Sequence, residues 1–104
     1  MTNARIAALQ QMLVGDPGDT TAHYMLGLEY FKAQMYAEAV ATVRHYLGLV
    51  DDEGAAYRTL AHSLERLGRT DEAREAYQRG LDAATRHGHQ PMIEEYTQAL
   101  RDLA

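Results

Sequence analysis

Cysteine and tryptophan are absent from this chain of 104 residues, and lysine, serine and phenylalanine occur once each. Without cysteine there is no disulfide framework and no thiolate nucleophile or metal ligand. The lone serine, Ser63, sits in no G-x-S-x-G turn, which excludes the usual hydrolase elbow. Gly27 and Gly68 belong to no G-x-x-x-x-G-K-[ST] phosphate loop. No stretch approaches the ~18 consecutive apolar residues of a membrane span. The opening MTNARIAALQQML lacks a basic segment followed by an unbroken apolar run, so it does not read as a secretory signal. Formal net charge is −5, with acids and bases interspersed. A basic stripe is missing, which argues against a nucleic-acid or anionic-membrane partner. A cytoplasmic protein is the expectation. Nine arginines against one lysine, with abundant alanine, suggest a GC-rich bacterial genome by association.

What the chain has is a repeat. His23-x-x-Leu26-Gly27-x-x-Tyr30 is followed 34 residues later by Tyr57-x-x-Leu60-Ala61-x-x-Leu64. Adding 34 to Leu26, Gly27, Glu38, Ala39 and Leu47 gives Leu60, Ala61, Glu72, Ala73 and Leu81. A unit of this length cannot bury its own apolar face and must stack on a neighbour, which yields a groove and not an enclosed pocket. Composition agrees with an ordered domain: 46% hydrophobic and 24% charged. One domain of this size buries roughly 60–65% of the surface its unfolded chain exposes.

These spaced large, small and aromatic residues resemble the tetratricopeptide repeat, a helix–turn–helix unit. Gly27, Ala39, Ala61 and Ala73 stand where the family places small residues between its two helices, and Leu26, Tyr30, Val43, Leu60, Leu64 and Tyr77 fill the space around them. There are departures. His23 replaces the family's usual tryptophan, Asp51 and Thr85 replace a closing proline, and Tyr46 and Gly80 occupy a slot that is normally alanine.

The fold class expected is all-α, an α-solenoid of antiparallel helix pairs. Residues 1–19 read as an N-terminal half-repeat, 20–53 as repeat one, 54–87 as repeat two and 88–104 as a capping helix. On that reading the array is complete. Arg5 falls in the slot of Ala39 and Ala73, where no helix is expected to pack on it. Glu94 and Glu95 map onto Leu60 and Ala61, so that side of the last helix is expected to meet only water. Asp19 or Thr20, Asp52 and Thr70 are the expected helix N-caps, Gly68 a C-cap and Pro91 a helix start.

No constellation of catalytic residues emerges. Five histidines are scattered, without an H-E-x-x-H or a carboxylate–histidine pair at i, i+4, so neither a metal nor a cofactor is expected. Asp51-Asp52-Glu53 is a turn between units, where capping and solvation account for three acids. The resemblance implies that the first helices of successive repeats line a concave, partner-binding face. The matching positions are Tyr24, Met25, Leu28 and Phe31, then Arg58, Thr59 and His62, with Lys32, Glu65 and Arg66 beside them. Relatives that grip acidic chaperone tails carry a lysine and an asparagine where Tyr24 and Leu28 stand, so that clamp is not expected. The function expected is a non-enzymatic module taking a protein or peptide partner, as a monomer or weak homodimer. A structural homo-oligomer filling its own groove ranks second, and a small enzyme or metal binder third.

Overall fold

In a computed structural model, residues 3–104 are described and form six helices: α1 (Ala4–Gly15), α2 (Thr20–Lys32), α3 (Tyr36–Leu49), α4 (Ala55–Arg66), α5 (Thr70–His87) and α6 (Gln90–Asp102). Met1 and Thr2, which open both the expected half-repeat and the segment read for a signal, lie outside the described residues.

Short oxygen-bearing side chains start several helices by accepting from free backbone N–H groups. Asn3 Oδ1 accepts from Arg5 and Ile6, each at 3.1 Å, and Asp19 from Ala22 at 3.0 Å. Asp52 lies two residues before Gly54, the N-cap of α4, yet its Oδ2 accepts from Gly54 at 2.8 Å and Ala56 at 3.0 Å. Thr70 is not a cap. It is the first residue inside α5, and the N-cap position falls on Arg69, which makes no side-chain cap bond. The cause is the tight end of α4. Gly68, at φ +74°, donates to Glu65 O and Arg69 donates to Leu64 O, so the chain turns straight into α5. The same turn closes α2 with a non-glycine residue: Gln34, at φ +61°, donates to Phe31 O and Met35 donates to Tyr30 O.

Consecutive helices pack in sequence order, and α2 also packs on α4. By contrast, α3 and α5 do not pack along one another. The layer holding α2 and α4 is therefore the tighter one, and the stack bends with that layer on its inner side. Its dimensions are 39 × 28 × 19 Å, the shortest matching two helix layers of about 10 Å each.

Two apolar clusters hold the stack. The first joins α1, α2 and the start of α3 through Ile6, Leu9, Ala22, Leu26, Tyr30 and Ala39. The second runs from Val40 and Val43 through Leu60, Ala61, Leu64, Ala73 and Tyr77 to Tyr96. The small slots are tight: a Cβ on Gly27 would stand 2.7 Å from Val43 Cγ2. Ala39, Ala61 and Ala73 are fully buried. Burying a side chain such as Leu64 contributes about 1.5–3 kcal/mol.

α6 corrects the expectation for Glu94 and Glu95. α5 has 18 residues where α3 has 14, and the buried Tyr96 of α6 follows the buried Ala61 by 35 residues, where Ala61 follows the buried Gly27 by 34. One residue of slippage rotates a helix by about 100°, enough to exchange faces. Met92 and Tyr96 consequently point inward, and Tyr96 is fully buried with its hydroxyl donating to Gly54 O. Gly80 makes this possible, because a Cβ there would lie 2.8 Å from Tyr96 Cε2 and 2.9 Å from Tyr57 Cβ. Glu94 stays exposed, but Glu95 pairs with Arg58 on α4. Arg5 is exposed as expected, with a partner that was not expected. Its guanidinium lies 3.3 Å from the buried carboxylate of Glu29, which Lys32 also approaches at 3.5 Å.

Candidate functional site

The inner face is built from the sides of α2 and α4 that point away from α3 and α5. On α2, Ala22, Leu26, Gly27 and Tyr30 are buried. Helical periodicity then turns Tyr24, Leu28 and Phe31 to the opposite side. Tyr24 is half-buried, its ring 5.1 Å from that of Tyr46. The bulky residue in the family's alanine slot thus turns toward α2. Tyr46 donates its hydroxyl to Asp52 Oδ1 at 3.2 Å. Burial, then the Asp52 charge, pushes the Tyr46 phenol up to about 12, and the same two causes raise Tyr24.

Leu28 is half-buried and packs against neither apolar cluster. Met25 is 37% exposed on α2. Phe31 sets its ring edge-on to Tyr36 at 5.6 Å and lies 6.2 Å from His62, which is 6.2 Å from Tyr77. Phe31, His62, Glu65 and Arg66 line a shallow depression of about 250 Å³. The Arg66 guanidinium sits 5.9 Å over the Tyr36 ring. Glu65 is occupied by the Tyr77 hydroxyl, whose proton is held well above the usual phenol range by burial and by that carboxylate.

Two of the seven expected positions differ in kind from the expectation. Thr59 is only 7% exposed, on a helix that packs with α2, α3 and α5. Arg58 is not a free cation. Its Nε and Nη2 donate to the two oxygens of Glu95 at 2.5 and 2.6 Å, a fork-on-fork pair. Those hydrogen bonds raise the arginine and hold the Glu95 carboxyl below its ordinary range. Tyr24, Leu28, Phe31, Arg58 and His62 therefore share one face, Met25 borders it and Thr59 is withdrawn from it.

Glu95 and Tyr36 were missed because both come from helices outside the expected groove. Also missed was a cleft of about 340 Å³ on the opposite side, between α3 and α5. The histidines find ordinary partners: His23 bonds Pro17 O at 2.8 Å and packs on His45, while His87 and His89 approach Asp51 and Glu53 at 3.6 and 2.9 Å. Among the described residues, no three His, Asp or Glu side chains gather as a metal site would need. No helix of those residues is long and apolar enough to cross a membrane.

Comparison with known proteins places this geometry. Residues 54–87 match the model of the tetratricopeptide repeat. The solution structure of protein BPP2914 from Bordetella parapertussis is similar at a TM-score of 0.82, with 26% identity over 99% of this chain and 89% of that one. No curated protein matches the chain. Tetratricopeptide repeats form a non-enzymatic family and generally mediate protein–protein interaction. Residues 54–87 thus form a tetratricopeptide repeat, and the six helices, stacked as adjacent pairs, are consistent with an all-α fold of that repeat type.

Proposed function

We propose that the chain is an interaction module that binds a peptide or an amphipathic helix of a protein partner along the inner face of α2 and α4. The observation that carries this reading is Leu28. It projects from α2 outside both apolar clusters, between the exposed Met25 and the aromatic pair Phe31 and Tyr36. Methionine and aromatic surface of this kind adapts to the apolar stripe of a partner helix. His62 and Arg66 supply a polar edge on the next helix.

Leu28→Glu tests the reading. It sets a charge where an apolar contact must be desolvated. Expected is a melting curve close to wild type together with loss of the partner retained by the wild-type protein. A well-folded Leu28→Glu protein that keeps that partner contradicts the assignment.

A second reading, self-association, has its own support. Met12 is 50% and Val14 74% exposed on α1, which no helix covers on its outer side. Sedimentation across concentration separates the two: a monomer at all concentrations removes it.

A further inference from the structure

α2 and α4, the two helices of the inner face, carry five charged side chains: Glu29 and Lys32 on the first, Arg58, Glu65 and Arg66 on the second. Each already has a partner within the chain. Glu29 is approached by Arg5 and Lys32, Glu65 accepts from the Tyr77 hydroxyl, and Arg66 lies over the Tyr36 ring. Arg58 alone takes its partner from α6, the helix that closes the stack. It stands where Tyr24 stands 34 residues earlier. It is also close enough to Tyr24 to work against the rise that burial and then Asp52 impose on that phenol. Left free, a guanidinium here would offer a fork of donors to any carboxylate of a docking segment. Glu95 fills the fork with both of its oxygens, at 2.5 and 2.6 Å.

This pair is not what seats α6. Tyr96 is fully buried, Met92, Leu100 and Leu103 pack on the same cluster, and Arg74 donates to Leu103 O at 3.0 Å. Arg58 and Glu95 are by contrast 39% and 37% exposed, and an ion pair so placed contributes little to stability. What it changes is the surface a partner meets. A carboxylate arriving at Arg58 must displace Glu95 and leave it without a counter-charge, on a chain of formal net charge −5. An uncharged side chain meets no such cost.

We infer that Glu95 sets the charge selectivity of the inner face: it withholds Arg58 from acidic segments, so the docking segment passes α4 with uncharged side chains there. The inference rests on the groove reading and narrows it. The partner is recognised by its apolar stripe along Leu28 and Phe31, and is not drawn in by negative charge.

The test is a calorimetric titration of the full chain with two blocked helical peptides. Both carry leucines at i, i+3, i+4 and i+7; one has glutamines beside the stripe and the other glutamates. The wild type is expected to bind the glutamine peptide at least as tightly as the glutamate one. Raising salt from about 0.1 to 1 M, which shortens the screening length from about 10 to 3 Å, should weaken neither. Glu95→Gln keeps the side chain's size and frees Arg58. It should shift the preference toward the glutamate peptide by about tenfold, as for a gained charged hydrogen bond. Arg58→Gln added to Glu95→Gln restores the net charge of the wild type and should return its preference. A mere tie between α4 and α6 would leave the ratio of the two affinities where it was in every variant. A wild type that prefers the glutamate peptide, or a folded Glu95→Gln protein with an unmoved ratio, overturns the inference. In both cases the groove reading stands if Leu28→Glu abolishes binding. A wild type that binds neither peptide overturns the two together.

Discussion

The pairs α2–α3 and α4–α5 place the same kinds of residue where their helices meet and different kinds around that contact. Leu26 and Leu60, Gly27 and Ala61, and Ala39 and Ala73 are each 34 residues apart, and all six are buried. Around them the correspondence fails. Tyr24 answers to Arg58, Met25 to Thr59, Gln34 to Gly68, Tyr46 to Gly80 and Val14 to Gly48. Among the described residues, large exposed apolar side chains follow the same division: Met12, Val14, Met25, Met35 and Leu49 precede residue 50, and Leu67 follows it. Inward slots are fixed by atoms on two sides, so a wrong size is costly whichever pair it falls in. Outward slots are fixed by nothing inside the chain. They are where the two pairs become different surfaces, one apolar and aromatic, the other an ion-paired lattice.

The sharpest way to break that comparison uses two glycines that both lie within helices. Gly80→Ala drives a methyl group into Tyr96 and Tyr57 and is expected to cost about 1–3 kcal/mol, with a lower melting temperature. Gly48→Ala meets nothing and removes helix-opposing backbone freedom, so it is expected to add up to about 1 kcal/mol. Melting curves of the two variants should move in opposite directions. Equal shifts would show that α6 does not seat on Gly80 as described.

A smaller effect is expected at the paired turns. Gln34 holds a left-handed conformation that suits glycine, and Gly68 occupies the same turn in the next pair. Gln34→Gly should stabilise by about 1 kcal/mol or less, and Gly68→Gln should cost a similar amount, both read from chemical denaturation. Opposite signs would mean that the two turns are not equivalent.

The smallest concerns acid. Arg69 and Arg44 depress the folded-state value of Glu72 from 4.5 to about 2. A depressed carboxyl contributes stability above its unfolded value, and that contribution is lost as pH falls through the folded one. Wild type should therefore lose more stability than Glu72→Gln between about pH 4.5 and 2. The gap is small, because the groups are exposed and screened. Parallel acid titrations of the two proteins would refute the Arg44–Glu72–Arg69 link between α3 and α5.

Much of the fold was legible because inward slots repeat. The 34-residue frame implied six helices and the small positions between them, and the left-handed end after α4 was visible as Gly68. What escaped was phase and depth. The extra turn of α5 adds Ala84, Thr85, Arg86 and His87, none of which forbids or demands a helix, so the slip that brought Tyr96 inward left no mark. Glu95 was consequently given to water when it neutralises Arg58. Thr59 looked like a surface residue because Met25 does; it is buried on a helix that packs with α2, α3 and α5, a property of the stack and not of the motif. The outer cleft draws its lining from α3, α4 and α5, so no single stretch of the sequence marks it.

The central claim is that the outward strip of α2 meets a partner. It is tested most directly by a photocrosslinking amino acid placed in turn at Leu28, on the inner face, and at Asp82, exposed on α5. Both variants should melt with the wild type. The account predicts that the probe at position 28 yields a discrete crosslinked product with one partner in host extract, competed away by unlabelled wild-type protein, and that the probe at position 82 yields none. A competed product from position 82 with none from position 28 would contradict it.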